Sequence, residues 1–63
     1  MKKEINALAT ELKKFNASIF VGDNYIQIYK LGTMFFQEFE GIMKKYKKLD
    51  RHTGINCIVV EEK

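Results

Sequence analysis

A small α+β domain is predicted, ordered helix, strand, strand, helix, strand, with a three-stranded sheet covered on one face by both helices. Three observations predict it. Ile5, Leu8, Leu12 and Phe15 recur at helical spacing near the start. Ile26 and Ile28 alternate with Tyr25, Gln27 and Tyr29, the period of a half-buried strand. Ile55 to Val60 is apolar on both of its faces, as strands covered on two sides are.

The first helix is expected over 2–16, its four apolar residues on one narrow stripe. Lys13 and Lys14 in its last turn oppose the negative end of the helix dipole, and Asn16 suits a left-handed cap. Residues 17–21 and 25–30 come next as a hairpin. Parity selects its turn. A two-residue turn, Asp23-Asn24 or Gly22-Asp23, keeps Ile19 and Val21 on the face of Ile26 and Ile28, whereas a three-residue loop with simple pairing sets Ile19 opposite Gln27. Ser18, Phe20, Tyr25, Gln27 and Tyr29 then share the reverse face.

A second helix is expected over 33–48, with Thr33 as its N-cap. Glu38 and Glu40 precede Lys44, Lys45, Lys47 and Lys48, the order that suits the dipole, and Glu40 to Lys44 is a favourably oriented i,i+4 pair. Phe35, Phe39, Ile42, Tyr46 and Leu49 define its core face, which Phe36 and Met43 widen. Gly41, unfavourable in a helix interior by about 1 kcal/mol against alanine, points to a close backbone approach or a local break. Asp50 to Gly54 reads as a loop, Ile55 to Val60 as the third strand joined by a right-handed crossover, and Glu61-Glu62-Lys63 as a charged tail.

With 63 residues the chain is expected to form one domain of residues 1–63, without repeats or linkers. A domain this small buries only about 60% of its unfolded surface, so self-association, most simply as a homodimer, is expected to support it. The single cysteine excludes an intramolecular disulfide and is consistent with a cytoplasmic location. Met1-Lys2-Lys3-Glu4 begins like the basic end of a signal peptide, but Asn6, Thr10, Glu11 and Lys13 interrupt the apolar run that such a peptide needs next. No stretch approaches the roughly 20 apolar residues of a membrane span, and no membrane association is expected.

No set of residues identifies a reaction. His52 and Cys57 are the one nucleophile-and-base pair, and they lack an orienting third group. Asp50, His52 and Cys57 match no metal-ligand spacing, so neither a metal nor a cofactor is expected. The net charge of +3 permits nucleic-acid contact without requiring it.

The element order opens like that of a type II KH domain. That family places a Gly-x-x-Gly loop between two helices, whereas Gly41-Ile42-Met43-Lys44 supplies one glycine. An RNA-recognition motif requires a strand ahead of the first helix, and its aromatic consensus strands are missing too. No family is assigned on these grounds.

The sequence therefore points to a non-enzymatic protein-binding module: a regulator, accessory subunit or inhibitor of the kind phages and mobile elements encode. A short chain opening on its own methionine suits that class. Phe20, Tyr25 and Tyr29 are the expected anchors on the sheet, with Phe36 and Met43 as a second patch. The alternative is nucleic-acid binding through Lys44, Lys45, Lys47 and Lys48 together with Tyr29, the aromatics stacking on unpaired bases.

Overall fold

A computed structural model describes residues 2–62. In chain order the elements are α1 (Lys2–Lys13), β1 (Ser18–Val21), β2 (Tyr25–Lys30), α2 (Phe36–Met43), β3 (Leu49–Thr53) and β4 (Ile58–Glu62). The α+β class and the two helices are as expected, but the sheet has four strands, ordered β1-β2-β4-β3, and every neighbouring pair is antiparallel.

The fourth strand lies in the expected loop. Residues 49–53 pair with β4, and the apolar run begins its strand at Ile58 instead of Ile55. This alters the crossover. Because β2 and β3 are each antiparallel to β4, they run parallel to one another, and α2 carries the chain past one strand position. β4 then returns through the gap. Composition hides β3, because Asp50, Arg51 and His52 resemble a polar loop and its ladder partner comes after it in the sequence.

Both helices contribute to one core. Ile5, Leu8 and Leu12 of α1 are fully buried with Ile26, Val60 and Phe39, and Ile28, Ala9, Met34 and Leu49 complete the cluster. All the core strand residues belong to one face of the sheet: Ile26 pairs with Val60 and Ile28 with Ile58. α1 ends at Lys13, earlier than the expected 16, and Asn16 takes the left-handed conformation (φ 59°) that its type tolerates best here.

The second helix covers only half of its expected span of 33–48. It starts late because Phe35, in extended conformation, occupies the N-cap position and its N–H donates to Glu38 Oε1 at 3.1 Å. Thr33 is not the cap. Its hydroxyl and backbone N–H both donate to the Phe15 carbonyl, at 3.1 and 2.8 Å. Gly32, at φ 68°, lies so close to Phe15 and Asn16 that an added Cβ would overlap their backbone. The connection between β2 and α2 is thereby clamped to the end of α1. The helix stops two residues after Gly41, which faces open space, so a break and not a backbone approach accounts for that glycine. Phe35, expected in the core, is 77% exposed because it precedes the helix instead of riding on its inner face.

No helix among the described residues is long and apolar enough to cross a membrane.

Candidate protein-binding face

The turn of the first hairpin decides what its outer face displays. Val21 pairs with Ile26, Phe20 with Gln27 and Ile19 with Ile28, while Gly22 N–H donates to the Tyr25 carbonyl at 2.8 Å. The turn is therefore Asp23-Asn24, one of the two that parity allowed. A bulge between the Ser18–Lys30 and Ile19–Ile28 pairs leaves Tyr29 as the extra residue on β2.

Phe20, Tyr25, Gln27 and Tyr29 stand together on the sheet face away from the helices. Phe20 is 53% and Tyr29 49% exposed. The Tyr25 ring lies over Gly22, where a Cβ would come within 2.1 Å of Tyr25 Cε1. Its centroid is 6.3 Å from that of Phe20, a tilted contact favoured by aromatic pairs. Tyr29 donates its hydroxyl to Gln27 Oε1 at 3.1 Å, so the amide sits between aromatic neighbours instead of pointing freely into water.

The remaining strands extend the face and change its character. Val59 pairs with Gln27, and His52 lies beyond it on β3. Glu61 pairs with Tyr25 and also accepts a contact from His52 Nε2 at 3.0 Å. The sheet thus grades from an aromatic half on β1 and β2 to a polar half on β3. Of the two apolar sets that the last strand offered, Val59 faces outward while Ile58 and Val60 face the core.

His52 belongs to a strand instead of a solvated loop and is engaged by Glu61. Cys57 is half-buried at the end of a second tight turn, where the Gly54 N–H donates to the Cys57 carbonyl at 2.7 Å. Among the described residues no three His, Cys, Asp or Glu side chains are grouped to hold a metal ion.

The second patch is split. Phe36 is 55% exposed with its ring centroid 6.0 Å from that of buried Phe39, but Met43 is half-buried against the core. Phe35, the residue before Phe36 in the chain, is exposed as well.

The lysine run occupies turns after α2 instead of a helical stripe. Lys45 pairs with Glu11 at 2.8 Å, and the Tyr46 hydroxyl donates to the same carboxylate. Hydrogen bonds from Lys45 and Tyr46 hold the Glu11 carboxyl below its ordinary range. Burial, reinforced by the Glu11 charge, pushes Tyr46 up to about 12. Lys44, Lys47 and Lys48 are exposed, but this cluster is tied to α1 in the helical layer, while Tyr25 and Tyr29 occupy the opposite sheet face.

No protein-family model, curated protein or solved structure matches this chain.

Proposed function

We propose that this protein acts without catalysis, by binding another protein chain through the outer face of β1 and β2, and that it associates with itself through the same region. The observation that carries this reading is the grouping of Phe20, Tyr25 and Tyr29 around Gln27 on a face that no helix covers. Tyrosine and phenylalanine supply large contact area at small cost in side-chain entropy and are enriched where proteins meet. The role that fits is occlusion or assembly, as in a regulator, accessory subunit or inhibitor working in the cytoplasm. Nucleic-acid binding through lysines and tyrosines together is less well supported, because the two groups occupy opposite layers.

The test is light scattering over a dilution series at low and moderate salt, with parallel titration of labelled single- and double-stranded oligonucleotides. Association insensitive to salt, lost in Phe20→Ala/Tyr29→Ala with thermal unfolding retained, supports the proposal. Oligonucleotide binding that weakens steeply with salt overturns it in favour of the nucleic-acid reading.

A further inference from the structure

The sheet has two open edges, and they differ in a way that selects a partner. β3 presents Asp50 and Arg51, charges of the kind that keep an edge from pairing with another chain, with polar His52 beside them. β1 presents Ser18-Ile19-Phe20-Val21, with no charge at all.

Its hydrogen-bonding phase is set by the turn. Gly22 and Tyr25 form a bonded pair, and bonded and non-bonded pairs alternate along an antiparallel ladder. Phe20 is therefore bonded to Gln27, while Ile19 and Val21 direct their N–H and C=O groups to the open edge. Two donors and two acceptors, two residues apart, are self-complementary about Phe20.

We propose that β1 is the seam of a twofold homodimer, in which β1 strands of two copies pair antiparallel about Phe20 to form one eight-stranded sheet. Ile19 of each copy pairs with Val21 of the other and exchanges both backbone bonds with it. Phe20 faces its own counterpart in a non-hydrogen-bonded pair, with Cα atoms about 4.5 Å apart. Both phenylalanines lie on the outer face, so the aromatic surfaces of the two copies become one. The second copy is the occupant because the segment matches itself in both hydrogen bonding and side-chain character. No charge on the strand opposes the approach.

This inference rests on the proposed role of the aromatic face and names the partner that meets it first. A seam of four residues per chain falls below the roughly 1,200 Å² of stable interfaces, so the dissociation constant is expected at about 10–100 µM.

The test is disulfide trapping in a Cys57→Ser background. Phe20→Cys should oxidise to a covalent dimer, because facing Cα atoms about 4.5 Å apart lie within disulfide reach. His52→Cys, on the other edge, should remain monomeric under the same conditions. Independently, Phe20→Lys in the otherwise unaltered chain should shift sedimentation to monomer while its thermal transition persists. Equal trapping at positions 20 and 52, or no trapping at 20 in a chain that sediments as a dimer, overturns the seam. A chain that is monomeric up to about a millimolar also overturns it, yet leaves the aromatic face free to serve a different protein. Association that survives Phe20→Ala/Tyr29→Ala undiminished removes the face itself.

Discussion

The hairpins β1–β2 and β3–β4 both reverse over two residues after a glycine, Asp23-Asn24 after Gly22 and Ile55-Asn56 after Gly54. Their leading strands have little in common. Ile19 and Val21 pack against the core directly, whereas β3 buries Leu49 alone. Its Arg51 instead reaches back to α2, forming an ion pair with Glu40 and lying 5.8 Å from the centre of the Phe39 ring. The difference shows two routes to an edge strand. One is secured by its own apolar alternation, the other by a neighbouring strand and by polar contacts to a helix.

That contrast is broken most severely at the seam between the hairpins. Ile28 is 2% exposed and pairs with both Ile19 and Ile58. Ile28→Asp buries an unpaired charge among apolar side chains, and the domain is expected to lose its cooperative unfolding transition in circular dichroism. An unchanged midpoint would reverse the assignment of the sheet faces.

The two turn glycines should differ next. An alanine at position 22 meets the Tyr25 ring, while one at 54 approaches Cys57 no closer than 3.1 Å. Gly22→Ala is expected to destabilise by about 1–3 kcal/mol in urea titrations, and Gly54→Ala by less. Ring proton chemical shifts of Tyr25 in NMR should report its displacement in the first variant only.

Polar support of the second hairpin is tested by Arg51→Ala, expected to lower stability by about 1 kcal/mol because the ion pair is partly exposed and screened. His52→Ala, removing a more exposed pair, should change stability by less than about 0.5 kcal/mol. A reversed ranking would mean that the outer contact of His52 with Glu61, and not the contact to α2, holds β3.

The tether of α1 to the turn before β3 makes stability depend on pH at both extremes. Glu11 is depressed in the folded state, so its contribution is present above the ordinary value of 4.5 and lost as pH falls below it. Tyr46 is raised to about 12, so its contribution is present below the ordinary 10 and lost as pH rises through that interval. Tyr46→Phe should remove that residue's part of the alkaline decline in melting temperature. An identical alkaline profile in the variant would detach the decline from Tyr46.

The smallest expected effect is a gain. Gly41 faces open space near the end of α2, and Gly41→Ala should stabilise by up to about 1 kcal/mol, seen as a higher denaturation midpoint at unchanged slope. A loss would show that the break after α2 is needed to deliver β3.

Much of the first hairpin and of α1 is legible in the order of residues alone. The stripe of Ile5, Leu8 and Leu12, the left-handed Asn16 and the facing of Ile26 and Ile28 depend on periods and on one turn, and neighbours in sequence set all of these. The outward placement of Phe20, Tyr25 and Tyr29 comes from the same parity. The spacing Gly-x-Asn, shared by Gly22-Asp23-Asn24 and Gly54-Ile55-Asn56, is the local signal that could have revealed the second hairpin.

Only the tertiary structure decided where α2 stops, that β3 exists, and on which side Val59 stands. Where α2 begins depends on the clamp of Thr33 to the Phe15 carbonyl, 18 residues away, and the turn in which it ends is held to α1 by Lys45 and Tyr46 on Glu11. Strand β3 has too few apolar residues to announce itself and acquires its conformation from the ladder with β4 and from Arg51 on α2. The facing of Val59 is undetermined while both sides of its strand are apolar, and pairing of Ile28 with Ile58 resolves it. Local periodicity determines a segment when its two faces differ; where they do not, contacts distant in the chain supply the choice.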